Sequence, residues 1–306
     1  MVSPPTPDPI TLLKDSIPLE YFNAAIFTVL AWDILICFTE ELGVAATCGF
    51  SVSSVAYFAS RIGVMLWSML ILVMQVAPVA HCEVLWCILM TVAIIAGSAS
   101  SLLFVIRVCA VYEKSKPVTL FFGIFWLAVP AVSSLVAISA HVSHTFPGSE
   151  KCNITGTSSY TSICQWVKAA FDTSVFIAIT MRIISYSKAD RASKPSSWHS
   201  LRGAGLPRIY RDLLHGGLLF YFVTIGVTLM GALAMLFSIN MIDRLGLTQP
   251  QLAVESVVAC RVFRRMVLDS RKPDRGLRQV SENISLTAVS AGSTDIGLSQ
   301  NTDFDK

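Results

Sequence analysis

Charge is scarce in this 306-residue chain. Asp, Glu, Lys and Arg make up 14% of it, against about 25% in an ordinary soluble domain. A chain that is 54% hydrophobic, with a mean hydropathy of +0.63, has too few polar groups to cover its own surface, which excludes an ordinary soluble globule. Histidine is limited to five residues: His81, His141, His144, His199 and His215. His141 and His144 have a metal-like spacing, but Glu150 is the one carboxylate beside them, and a zinc site needs three or four ligands. No metal or other cofactor is therefore expected. His215 alone falls within an apolar helix, so the convergent His, Asp and Ser of an intramembrane hydrolase are missing and no enzyme activity is expected. No lysine lies between Leu245 and Leu268, where a retinal Schiff base would form. There is no Gly-rich phosphate loop, no nucleic-acid motif, no heptad array and no solenoid period. The long apolar runs also exclude a β-barrel, which is built from alternating segments of about 10 residues.

What the sequence has is membrane-length apolar stretches. A helix crosses ~30 Å of hydrocarbon with about 20 residues. Asp, Glu, Lys and Arg are absent between Arg61 and Glu83, from Val84 to Ile106, from Pro117 to Ser149 and from Leu213 to Ile242. Three further stretches are apolar with interior exceptions: one contains Asn23 and Asp33, one Lys168, Asp172 and Arg182, one Glu255 and Arg261. The expected fold is an all-α polytopic membrane bundle of seven transmembrane helices, spanning about 21–39, 54–77, 84–108, 118–140, 166–186, 213–239 and 247–268. Residues 1–20 are expected to form an external tail and 269–306 a disordered cytoplasmic tail. Pro4, Pro5, Pro7 and Pro9, with no basic segment before a short apolar core, argue against a cleavable signal peptide.

Basic residues set the orientation. With the N-terminus outside, 19 of the 23 Lys and Arg residues fall inside, concentrated in the fifth loop and the tail. Lys14, Lys151, Lys168 and Arg244 fall outside. This predicts an N-outside, C-inside protein of the plasma membrane or secretory pathway. Asn153-Ile154-Thr155 is a glycosylation triplet in the outer fourth loop. Cys82, Cys152 and Cys164 also lie in or beside outer loops, where disulfides form. Spacing leaves the connectivity open among Cys82–Cys152, Cys82–Cys164 and a local Cys152–Cys164 bridge.

Ionisable residues inside spans are expensive and face protein or water rather than lipid. Asp33 and Arg61 both lie ~9 Å from the inner face on successive antiparallel helices, so they are expected to pair, either to fix helix register or as a switch. Lys168 and Asp172, four apart, share one helix face. They and Glu255 are candidates for a ligand site or a cavity lining. Arg107 and Tyr112 mark the inner exit of the third span, where the arginine either anchors at the headgroups or belongs to a switch. Gly97 to Ser101, Gly226 and Gly231 are candidates for close helix contact.

Several residue patterns point to one family. The first span carries Tyr21-Phe22-Asn23, Trp32-Asp33-Ile34-Leu35 and Glu40-Glu41, and the second opens with Tyr57-Phe58-Ala59-Ser60-Arg61. Ile106-Arg107-Val108-Cys109-Ala110-Val111-Tyr112, Phe171-Asp172-Thr173, and Arg211-Asp212 with Gly217 and Tyr221-Phe222 follow in order. Together these resemble a large family of fungal, chiefly basidiomycete, seven-span membrane proteins whose N-terminal segment is catalogued as a domain of unknown function. Trp32 stands where that family usually has Tyr, and Ile62 where an aromatic is common. The resemblance implies the seven-span fold and no particular activity. The topology and the outer cysteines suggest a receptor-like sensor of a small ligand, with membrane lipids as partners and a cytoplasmic signalling partner at loops three and five. The competing classes are a transporter or channel, and a non-catalytic assembly or lipid-interacting protein.

Overall fold

A computed structural model describes residues 9–144, 152–156, 160–193, 218–236 and 241–270. Among these, seven helices carry the fold: α1 (Pro9–Cys48), α2 (Val52–Val76), α3 (Cys82–Val111), α4 (Lys116–Ser139), α5 (Tyr160–Ser193), α6 (Leu218–Ala234) and α7 (Met241–Ser270). Four of them, over Ile17–Ala46, Val52–Val76, Cys82–Val111 and Lys116–Ser139, are long and apolar enough to cross a membrane. Both α5 and α7 are long enough but too polar, because each carries several charged residues. The described part of α6 is apolar but only 17 residues long. The chain is thus a membrane-embedded helical protein, and its large exposed side chains agree. Trp32, Leu35 and Ile36 on α1 and Leu120, Ile124 and Leu127 on α4 present continuous apolar faces that only lipid or another apolar partner could cover.

The helices close into a ring. Each packs on its neighbour in sequence, and α7 returns to pack on α1. Within the ring α3 also touches α5 and α7, so it is the central post. Helix direction alternates. The Cys82–Cys152 disulfide ties the start of α3 to the α4–α5 connection, and Leu19 lies beside Gly246 at the same end. At the opposite end Tyr112 meets α5 through Ala178, and Arg264 meets α1 through Glu40.

Three local features differ from the sequence expectation. The first helix starts at Pro9 rather than near 21, with Pro18 inside it, so much of the expected tail is helical. The connection between α4 and α5 contains a two-stranded antiparallel hairpin, β1 (His141–His144) with β2 (Cys152–Gly156). Short strands flanked by turn residues carry little periodic signal, which is why this stretch reads as plain loop. The tightest of the described glycines is one not singled out from the sequence: a Cβ on Gly63 would sit 2.8 Å from the Ala96 Cβ, while the predicted Gly97 and Gly231 face α7, where a Cβ would lie 3.4 Å from Leu252 and 3.3 Å from Gln251. A Cβ on Gly226 would meet nothing within 4 Å. Residues 194–212 of the basic fifth loop, the tail from 271, and the Arg211-Asp212 and Gly217 positions lie outside the described residues.

The core sits around α3. Tyr57, Phe104, Val108, Phe171 and Val175 form its centre, with edge-to-face stacking of Phe125 on Phe171. A second apolar cluster, Trp67, Ile71, Met74 and Leu89, packs against the disulfide and Val142 of the hairpin. That contact anchors the hairpin over the end of the bundle.

Candidate functional site

The first polar cluster lies in the middle of the bundle. Lys168 and Asp172 are one turn apart on α5, and both turn inward toward α3, α6 and α7. Lys168 Nζ donates to Asp172 Oδ1 at 2.8 Å, to Glu255 Oε1 at 2.6 Å and to Ser101 Oγ at 3.1 Å. Ser101 donates onward to Glu255 Oε1 at 3.1 Å, and Thr228 of α6 donates to Asp172 Oδ2 at 3.0 Å. Three helices, α3, α5 and α7, therefore meet at one ammonium, and α6 joins them through Asp172. Glu255 is only 1% exposed, Asp172 5% and Lys168 8%. Burying three ionisable groups is tolerable only because each is paired and hydrogen-bonded. One carboxylate oxygen of the cluster is left over: Glu255 Oε2 is buried and has no hydrogen-bond partner among the described residues.

A cavity of about 200 Å³ leads to this cluster. Its walls come from the first halves of α3, α5 and α7 and the last half of α4, which are the ends nearest the hairpin. Met90, Ala93, Val136 and Leu252 supply apolar wall; Ser133, Cys164, Gln165 and Gln251 supply polar wall; Lys168 and Glu255 also line it. Larger than the room for a few waters and below the usual range of drug-sized sites, it fits a small ligand.

A second, ionic cluster occupies the opposite end. Arg61 Nη1 is 2.6 Å from Asp33 Oδ2, and Arg61 Nε donates to Glu41 Oε1 at 2.8 Å. Tyr57 donates its hydroxyl to the same Glu41 oxygen at 3.4 Å. From α7, Arg264 Nε lies 2.7 Å from Glu40 and Arg261 lies 3.7 Å from Asp33. Helices α1, α2 and α7 are thereby clamped together.

Serines join the two clusters. Ser60 Oγ is 2.7 Å from both Ser100 Oγ and Ser256 Oγ, and these two residues adjoin Ser101 and Glu255 in sequence. Cys260, one turn further along α7, approaches Ser60 Oγ and the Tyr57 carbonyl at 4.0 and 3.9 Å. A polar seam thus follows α7 through the apolar core.

The structure brings Asp33 together with Arg61, and Lys168 with Asp172 and Glu255. Tyr112 belongs to neither cluster. Arg107 is buried rather than extended to the surface, and a side chain turned inward does not anchor at headgroups. Tyr112 donates its hydroxyl to the Ala178 carbonyl at 3.0 Å, under the Arg182 guanidinium, and so latches α3 to α5. Of the three cysteines considered for a disulfide, Cys82 and Cys152 are bridged and Cys164 is free, 3.5 Å from Ser133 Oγ in the cavity wall. Asn153 lies in β2, opposite Ser143. Sequence reasoning missed the partner of Glu255 and the roles of Glu40, Glu41, Arg264 and the serine trio. Helical spacing could flag Lys168 with Asp172, but contacts between helices depend on rotations that one sequence does not encode.

Residues 21–66 match a family described as a family of unknown function (DUF6533). The matched segment holds Asp33, Glu40, Glu41, Tyr57 and Arg61, the α1 and α2 side of the second cluster. No curated protein matches the chain.

Proposed function

We propose that this protein is a seven-span, N-outside membrane protein, non-catalytic and receptor-like, that senses a small ligand in the cavity between α3, α4, α5 and α7. The observation that carries the reading is the cavity running from the hairpin end of the bundle to the buried Lys168–Glu255 pair. In this reading α5, α6 and α7 cross the bilayer with their charges turned onto one another instead of lipid. The 19-to-4 bias of basic residues puts the hairpin and the disulfide outside, at the plasma membrane or in the secretory pathway. A ligand meeting Glu255 acts on α7, the helix whose Arg264 and Arg261 hold the inner clamp. The basic third and fifth loops offer anionic lipid or a cytoplasmic partner a place to read the movement.

Cys164 is a native reporter of the cavity. A membrane-impermeant methanethiosulfonate applied to intact cells is expected to modify Cys164, as read by peptide mass. Modification only after permeabilisation, or none, would overturn the reading. The polar seam along α7 favours a second reading, a transporter, and solute flux in liposomes containing the purified chain distinguishes it.

A further inference from the structure

The Lys168 cluster is one positive charge short. It contains one ammonium and two carboxylates, and Asp172 has partners on both oxygens: Lys168 on Oδ1 and Thr228 on Oδ2. Glu255 spends Oε1 on Lys168 and Ser101, while Oε2 stays buried and unpartnered among the described residues. Glu255 is itself part of the cavity wall, so this buried oxygen becomes a contact for a solute in the cavity once the Glu255 side chain turns toward it. An unmet carboxylate oxygen in an apolar surrounding calls for a cationic hydrogen-bond donor. An alkali-metal ion would supply the charge but needs several oxygens around it. The cavity, at about 200 Å³, is far roomier than a bare ion requires, and Met90, Ala93, Val136 and Leu252 make much of its wall hydrocarbon. An apolar wall facing one anionic acceptor matches a short carbon chain ending in an ammonium group.

We propose that the cavity binds a small primary amine in its protonated form, the ammonium donating to Glu255 Oε2 and the carbon chain lying against Ala93 and Leu252. This deepens the sensor reading and rests on it. Lys168 has a positioning role: it holds Glu255 by Oε1 and leaves Oε2 for the ligand.

The test follows the rate at which Cys164 of the purified full-length chain reacts with neutral methyl methanethiosulfonate in detergent micelles. Butylammonium chloride is expected to slow the reaction several-fold, in a saturable way. Neither 1-butanol nor sodium chloride at equal ionic strength should do so. Glu255→Gln should lose the protection while Cys164 still reacts. Ala93→Leu, which narrows the apolar half and leaves the ions untouched, should weaken the protection several-fold and carries the test if Glu255→Gln does not fold. Unchanged reactivity in butylammonium, equal protection by 1-butanol or sodium, or full protection in either variant would overturn the proposal. Labelling of Cys164 without amine protection defeats the amine alone; failure to label Cys164 at all defeats the cavity reading as well.

Discussion

Replacing Lys168 with methionine probes the central cluster most sharply. Methionine keeps an unbranched apolar stem and removes the ammonium that lies 2.8 Å from Asp172 and 2.6 Å from Glu255. Two carboxylates then share a buried site with no compensating charge between them. Removing one partner of a buried ion pair costs ~3–5 kcal/mol, and here two acceptors lose the same donor. The Arg182–Glu113 pair gives an internal comparison. It is 3.5 Å long with Glu113 75% exposed, and such a pair is worth ~0.2–1 kcal/mol. Equilibrium unfolding in mixed micelles with increasing dodecyl sulfate, followed by tryptophan fluorescence, reads both. Lys168→Met should cost at least three times as much as Glu113→Ala. Glu255→Gln leaves Lys168 paired with Asp172 and should cost less than Lys168→Met. The double variant Lys168→Met/Glu255→Gln should fall short of the summed losses by ~0.5–3 kcal/mol, since both act on one network. A Lys168→Met protein as stable as the Glu113→Ala protein, or strict additivity in the double variant, would refute the account of the cluster.

The second cluster makes a related prediction. Arg61→Gln removes the nearest cationic partner of both Asp33 and Glu41, so it should destabilise more than Asp33→Asn does, and the pair of changes should be non-additive by ~0.5–3 kcal/mol in the same unfolding assay. At the α2–α3 contact, Gly63→Ala should cost ~1–3 kcal/mol by overpacking against Ala96, and Ala96→Gly in the same chain should restore much of the loss. Cys82→Ser and Cys152→Ser should lower stability equally, by up to ~4 kcal/mol for a bridge that closes 70 residues, whereas Cys164→Ser should leave gel mobility under non-reducing conditions unchanged.

How far the sequence carried the fold differs from helix to helix. The helices α2, α3 and α4 were legible because their charge-free runs are longer than a bilayer needs. The polar residues of α5 and α7 were legible as buried positions, since a charge in an apolar helix has few other places to go. Their partners were not. Glu255 meets Lys168 across 87 positions of chain, and Arg264 meets Glu40 across more than two hundred; neither spacing leaves a trace in helical periodicity. Cysteine placement narrowed the bridge to three pairings, and packing of the hairpin on Trp67 and Leu89 selects Cys82 with Cys152. Gly63 was overlooked because a single glycine in a long apolar helix looks like any other small residue. Its meaning comes from Ala96 on the facing helix, whose Cβ leaves no room for a second one on α2.

The account depends on an odd number of crossings, whereas the four most apolar helices taken alone would put both chain ends on one side. Epitope tags at the N- and C-termini of the full chain, probed with antibody on intact and then permeabilised cells, measure this directly. The seven-span reading predicts an N-terminal tag stained on intact cells and a C-terminal tag stained only after permeabilisation. Both tags appearing on the same side of the membrane would contradict it.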